Sequence, residues 1–162
     1  MKPKMIISAE CKNMLDEAIS LEMSQSHLWK HIANHMQRAG FFGAQAYFLK
    51  ESAEELEHYQ LIVEFLNDVG AVAKMPDIDR LTETFDTLSK ALERAYATEE
   101  AVYRDYSRFY AQEDDPVVKQ FLLQFLEIQR KAVGAYGDLL SRLAIAGDDK
   151  AAQLIIDKEL AG

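Results

Sequence analysis

Proline, cysteine and long apolar runs are scarce in this sequence of 162 residues. Three residues are proline and one is cysteine, so an internal disulfide is excluded and a reducing compartment is favoured. No apolar run approaches the roughly 20 residues of a membrane span, and the N-terminus lacks the apolar core of a signal peptide. Alternating β-branched runs are nearly absent. These absences predict an all-α, cytoplasmic protein with no membrane partner.

Charge and length narrow the class of protein further. The net charge of −9 argues against a nucleic-acid partner and suits contact with cations. A chain of this length is expected to form one domain over residues 1–162, with a sizeable buried core.

Apolar residues recur at helical spacing in four long segments. The predicted helices cover about residues 8–38, 41–69, 87–112 and 117–145, and a shorter fifth helix covers about 148–160. Ser8 is the expected N-cap of the first helix, and Gly40 follows its end. Between helices two and three, residues 71–85 show no helix or strand pattern. A connection of that length suits a crossover that makes helix three parallel to helix two.

Each long helix carries a polar residue in the middle of its apolar face. These residues are Glu22, Glu55, Glu99 and Gln129, and His58 lies three positions after Glu55. Because residues i and i+3 share a helix face, Glu55 and His58 could meet one metal ion. A buried carboxylate is unfavourable unless it is paired or binds a metal. The polar layer therefore predicts a metal centre inside a four-helix bundle, and carboxylate and imidazole ligands suit iron.

These features resemble the ferritin family, specifically the bacterial non-haem ferritins. The resemblance covers almost the whole chain. It is carried by residues 19–22, 53–60 and 156–160 together with Glu99 and Gln129. A lone Gln on helix four is similar to the ferritin pattern, whereas bacterioferritins and rubrerythrins keep Glu and His there. The expected fold is thus a ferritin-like four-helix bundle with a long crossover and a short fifth helix.

The resemblance implies an iron-storage function. Members of the family oxidise Fe(II) with dioxygen or hydrogen peroxide at a di-iron ferroxidase centre, and keep ferric mineral inside a hollow homo-oligomeric shell of 24 subunits. The resemblance also implies that Glu22, Glu55 and His58 hold the first iron and that Glu55 bridges to the second. Glu99 would hold the second iron, with Gln129 nearby. These five residues are the catalytic and metal-binding candidates.

The sequence departs from the family pattern at two informative positions. Leu56 stands where bacterioferritin has its haem-ligating Met, so no haem is expected. Trp29 stands where most ferritins carry a tyrosine, two turns after the Glu of helix one. Trp29 lacks a phenolic hydroxyl, which puts the electron-donor role proposed for that tyrosine in doubt here, and packing in the core is the other interpretation.

A third iron site, frequent in bacterial ferritins, is expected to be incomplete here. Glu54 is available, but Ile128, Lys131 and Ala132 occupy the positions of the helix-four carboxylates.

Three further groups of residues are expected to have roles outside the metal centre. A second apolar row on helix one, formed by Met14, Leu21 and Leu28, is expected to be exposed in a monomer and to contact another subunit. His27, His31 and His35, at i, i+4 and i+8, are expected to form an exposed or interface face. Residues 113–115 are expected to form a solvated loop that caps helix four.

Two other classes of function stay open at this point. A rubrerythrin-like di-iron oxidase or peroxidase would need a second Glu-x-x-His on helix four, and usually a Cys-rich iron module. A purely structural bundle would have no need of Glu22, Glu55 and Glu99 at one depth.

Overall fold

The computed structural model describes all residues 1–162 and contains five α-helices and no strand. The helices are α1 (Ala9–Ala39), α2 (Phe42–Asp68), α3 (Leu88–Gln112), α4 (Pro116–Ala146) and α5 (Lys150–Leu160). The predicted all-α fold of four long helices and a short fifth is confirmed. No helix combines the length and apolar character that crossing a membrane requires.

The helices begin and end at the residues that local chemistry favours. Ser8 caps α1 by accepting the Cys11 backbone N–H at 3.0 Å, and Gly40 ends it with φ 88°, a left-handed conformation that suits glycine. Side-chain oxygens also cap three other helices: Thr87 caps α3, Asp115 caps α4 and Asp149 caps α5.

The connection between α2 and α3 is the predicted crossover. Near its start, Lys74 N–H donates to Asp16 Oδ1 at 2.9 Å, close to the first turns of α1. Near its end, the Glu83 carbonyl lies 2.7 Å from His31 Nε2, close to the end of α1. The connection therefore runs along most of α1, and α3 starts at the same end of the bundle as α2. Cys11 Sγ lies 3.1 Å from Glu113, which places α3 antiparallel to α1.

The crossover covers one face of α1, and this corrects an expectation. The prediction that the row of Met14, Leu21 and Leu28 is exposed is wrong for Leu28, which is 4% exposed. Met14 and Leu21 are half-buried. The reason is tertiary: Leu21 and Leu28 line one surface cavity together with Ile78 and Leu81 of the crossover. Two members of the histidine row also pack against the crossover: the rings of His31 and His35 lie nearly perpendicular to the ring of Phe85.

The turn before α4 is capped as predicted but is not fully solvated. Asp115 accepts the N–H groups of Val117 and Val118. Glu113, by contrast, is only 8% exposed. Its carboxylate accepts the backbone N–H groups of Asp114 and Asp115, which a tight turn would otherwise leave unpaired.

Two apolar clusters fill the interior, one toward each end of the bundle. One contains Trp29, Phe48 and Tyr136, and the other contains Ile62 and Phe125. On every long helix the predicted polar residue lies between segments that belong to the two clusters. The fold therefore creates a polar layer halfway along the bundle.

A buried carboxylate of α5, that of Asp157, binds the start of α2. Asp157 accepts the backbone N–H groups of Gly43 at 3.0 Å and Ala44 at 2.7 Å. This interaction supplies the cap that α2 lacks, because Phe41 at its N-cap offers no side-chain acceptor. A Cβ at Gly43 would lie 1.7 Å from the Asp157 carbonyl oxygen, so only glycine fits there.

Candidate metal centre

The five residues predicted to bind metal all lie in the polar layer. Glu22, Glu55, Glu99 and Gln129 are 0%, 4%, 1% and 1% exposed. Ligand atoms of Glu22, Glu55 and His58 lie within 4.8 Å of one another. Glu99 and Gln129 line a cavity of about 320 Å³ that also reaches Glu55 and His58. The structure thus brings three of the residues into one tight group and places the other two on the adjoining cavity.

His58 lies between two carboxylates from different helices. Its Nδ1 is 2.8 Å from Glu55 Oε2 and 3.3 Å from Glu22 Oε2. Burial alone would lower the pKa of His58, but the two nearby carboxylates, Glu22 and Glu55, outweigh it and raise that pKa to about 10. In the metal-free protein His58 is therefore the cation of the group.

Donors on neighbouring helices hold two of the carboxylates. The Trp29 indole N–H on α1 donates to Glu55 Oε1 at 3.0 Å, and the buried Tyr106 hydroxyl on α3 donates to Glu22 Oε1. The sequence analysis missed both contacts. Tyr106 had a detectable signal, because it lies seven residues after Glu99 on the same helix face. Trp29 makes its contact through the indole N–H, and no pattern within α1 relates that donor to Glu55 on α2.

Several buried oxygens of the layer have no hydrogen-bond partner. They are Glu22 Oε2, which is near His58 but outside hydrogen-bond geometry, Glu99 Oε2 and Gln129 Oε1. An unpaired buried polar atom is unfavourable by about 1–3 kcal/mol. Oxygen donors of this kind, next to an imidazole, are ligands that Fe(II) accepts. The donor set therefore fits iron ions bound as substrate.

When no cation is bound, burial determines which carboxyl groups of the polar layer are protonated. Desolvation, followed by the charge of Glu55, raises the pKa of Glu99 to about 9. Desolvation is also the largest cause that raises the pKa of Glu22 to about 7, against the opposing effect of the nearby His58 ring. Glu99 is thus a neutral acid at neutral pH, and a cation that binds it must displace a proton.

We expect the metal-free protein to lose stability as pH rises. A carboxyl whose pKa rises on folding contributes stability that is complete below its unfolded value, 4.5 for Glu99, and disappears as pH approaches about 9. The pKa of His58 is also raised on folding, so its contribution to stability falls with rising pH in the same way. One such group changes the free energy of unfolding by about 1.4 kcal/mol per pH unit across that range. Denaturant titrations with a chelator at several pH values measure this slope, and Glu99→Gln should flatten it. A higher stability at pH 9 than at pH 5 would contradict the assignment.

The cavity beside the layer contains a carboxylate that the sequence analysis did not single out. Glu51, one turn before Glu55, accepts the Tyr136 hydroxyl at 3.4 Å. Burial, and then the charges of Glu54 and Glu55, raise the pKa of Glu51 to about 7. Its signal in the sequence was the i, i+4 spacing to Glu55.

The same cavity is lined by three residues of α4 that stand where a third iron site would have its carboxylates. They are Ile128, Lys131 and Ala132. The Lys131 ammonium lies 2.8 Å from Glu127 and is paired there. The absence of a complete third site of the usual composition stays a prediction.

Comparison with known proteins gives a consistent set of similarities. A family model described as a ferritin-like domain matches residues 12–146. The chain is 27% identical over 158 residues to the bacterial non-heme ferritin of Bacteroides fragilis, covering 96% of this chain and 98% of that protein. It is 23% identical over 164 residues to the bacterial non-heme ferritin of Escherichia coli, covering 99% and 95%. An open pore ferritin from the hyperthermophilic archaeon Archaeoglobus fulgidus matches with a TM-score of 0.92 and 25% identity, covering 96% of this chain and 98% of that one.

Proposed function

This chain belongs to the ferritin family, and from that premise we propose that it oxidises Fe(II) at a di-iron centre in the polar layer and stores the ferric product in a protein shell. One observation carries the proposal. Three buried oxygens without hydrogen-bond partners, from three helices, lie in a layer with His58. A bundle that only had to fold would place apolar side chains there.

The residues divide into two binding positions. Glu22, Glu55 and His58 hold the first Fe(II), and His58 gives up its proton to do so. Glu55 also reaches the second position, where Glu99 and Gln129 bind. Two Fe(II) ions supply two electrons, which with two protons reduce dioxygen to hydrogen peroxide, or hydrogen peroxide to water. Because Gln129 offers only a neutral amide oxygen, the second position has few charged ligands and releases its ion more readily.

Single substitutions should separate the two positions. Glu99→Ala is expected to remove the second iron and spare the first, whereas His58→Ala weakens the first. Anaerobic Fe(II) titration, followed by air and the absorbance of Fe(III), measures binding and oxidation in turn. The parent should bind about two Fe(II) per subunit and Glu99→Ala about one. Oxidation by both variants at the parent's rate would show that the assignment is wrong.

Exposed apolar side chains at one end of the bundle support the proposal of a shell. Ile145, Leu154 and Ile155 are 88%, 51% and 59% exposed, and Ile145 and Ile155 line one surface cavity. A subunit contact would cover these side chains. We propose a closed homo-oligomer of 24 subunits. Light scattering at neutral pH measures its mass, and a helical monomer or dimer would contradict the shell.

No specific contact supports the rubrerythrin-like alternative. It requires Glu and His on helix four, and the corresponding residues at the cavity are Gln129 and Ala132.

A further inference from the structure

A second cavity lies beside the polar layer, on the other side of the bundle from the cavity that Glu99 and Gln129 line. It has a volume of about 310 Å³ and is bounded by α1, the crossover and α3, and we call it the crossover cavity. The first cavity is bounded mainly by α2 and α4. Leu21 and Thr98, which directly precede Glu22 and Glu99, line the crossover cavity. The crossover cavity therefore lies at the depth of the layer.

The inner wall of the crossover cavity contains a buried amide without hydrogen bonds. Gln25 lines the cavity but is only 2% exposed, and neither its Nε2 nor its Oε1 has a hydrogen-bond partner. It lies three residues after Glu22, which places both residues on the same face of α1. An apolar side chain would avoid the free-energy penalty of burying both atoms. Gln25 thus presents an uncommitted donor and acceptor where the cavity borders the interior of the bundle.

The outer wall of the crossover cavity carries two carboxylates that no cation compensates. Asp77 and Asp79 belong to the crossover, are exposed and line the cavity. The ion pair that the crossover forms is a different one, between Glu83 and Arg94 at 3.0 Å. Arg94 also lines the cavity, but its charge is therefore already paired. Uncompensated carboxylates in a cleft raise the local concentration of cations.

The remaining polar lining suits a cation that passes through better than one that is retained. His27 adds an imidazole, a ligand that Fe(II) accepts. Asp77, Asp79 and His27 nevertheless do not form a compact ligand group of the kind that Glu22 forms with Glu55 and His58. The crossover cavity therefore offers attraction without a complete set of ligands.

We propose that the crossover cavity is an entry site for Fe(II): Asp77 and Asp79 attract the hydrated cation, and the Gln25 amide is its polar contact on the way into the layer. The inference rests on the proposed function, because it concerns the side from which the di-iron centre receives its substrate. A cation that loses water needs oxygen atoms in its place. Gln25 Oε1 supplies one, whereas the neighbouring Leu21 and Leu28 of the cavity supply none.

The competing route is the cavity between α2 and α4. It also contains carboxylates, those of Glu51 and Glu54. If Fe(II) entered there, neutralising Glu54 would slow oxidation, and changes in the crossover cavity would have no effect.

The test neutralises the outer wall with the double variant Asp77→Asn/Asp79→Asn. Initial rates of Fe(II) oxidation in air give kcat/KM, which we expect to fall about tenfold at low ionic strength. The difference should shrink at about 0.5 M salt, where screening acts within about 4 Å. The kcat at saturating Fe(II) and the equilibrium binding of Co(II) under argon should stay at the parent's values, because the polar layer is intact.

The matched control removes the same charge elsewhere. Asp138→Asn/Asp148→Asn changes two exposed carboxylates that do not line the crossover cavity, and it should leave kcat/KM unchanged. Gln25→Leu tests the inner wall. It should lower kcat/KM equally at low and high salt, because an amide carries no charge, and the metal-free variant should unfold at the same or a higher denaturant concentration.

The outcomes distinguish this inference from the proposed function. A parent that binds no Co(II) and oxidises no Fe(II) contradicts the proposed function. With an active parent, an unchanged kcat/KM in Asp77→Asn/Asp79→Asn overturns only the entry site, and so does an equal loss in Asp138→Asn/Asp148→Asn. Weaker Co(II) binding at equilibrium in Asp77→Asn/Asp79→Asn also overturns it, because the carboxylates would then act on the layer itself. Slower oxidation in Glu54→Gln, with no change in Gln25→Leu, would assign entry to the cavity between α2 and α4.

Discussion

Replacing Glu22, Glu55 and Glu99 together by leucine is expected to abolish Fe(II) oxidation and to raise the stability of the metal-free protein. The three side chains are at most 4% exposed. Their burial opposes folding, as the raised pKa values of Glu22 and Glu99 indicate. Replacing buried ionic groups by well-packed apolar ones is often neutral or stabilising by about 1–4 kcal/mol. A loss of function with a gain of stability is the pattern of a binding site built into a core.

The leucines would leave two buried donors without their acceptors. Tyr106 donates to Glu22 and Trp29 donates to Glu55, so Tyr106→Phe and Trp29→Phe are added to avoid unpaired groups. Absorbance of Fe(III) after air exposure measures oxidation, and guanidinium titration with a chelator measures the free energy of unfolding.

The matched control removes three negative charges from exposed positions on the same helices. Glu10, Glu57 and Glu93 are exposed, and their replacement by Gln should change neither oxidation nor stability by much. A large loss of stability in the leucine variant would mean that the polar layer holds the bundle together. Oxidation that persists would mean that iron reacts elsewhere.

Gly43→Ala is expected to detach α5 from the bundle. The added Cβ would lie 1.7 Å from the Asp157 carbonyl oxygen and 2.5 Å from its carbon, both backbone atoms that cannot rotate away. The chain must separate there, and the two bonds from Asp157 to the start of α2 are lost. We expect destabilisation of about 2–4 kcal/mol, faster proteolysis within residues 150–160, and impaired assembly because Leu154 and Ile155 move with α5.

Gly134→Ala on α4 provides the control for this change. A Cβ there meets nothing within 4 Å, so the same substitution should stabilise the helix by about 0.5–1 kcal/mol. Thermal unfolding and limited proteolysis distinguish the two variants. Equal stability and equal proteolysis of α5 would show that Asp157 does not hold this helix.

The sequence by itself determined the helices, their ends and the residues of the polar layer. This was possible because a helix is a local structure: its hydrogen bonds join residues four apart, so the period of apolar residues and the capping side chains predict its course. The same period placed Glu22, Glu55, Glu99 and Gln129 on inward faces, and their common depth follows from the similar lengths of the four helices. The length and low periodicity of residues 71–85 were sufficient to predict a crossover.

Only the tertiary structure decided which side chains meet between helices. The contacts of Tyr106 with Glu22, of Trp29 with Glu55 and of Asp157 with Gly43 join residues that are 84, 26 and 114 positions apart. Such contacts depend on the rotation of each helix about its axis and on its shift along its neighbour. Both follow from the packing of many side chains at once, and the pattern within one helix does not contain them. For the same reason, the burial of Leu28 beneath the crossover became visible only in the assembled fold.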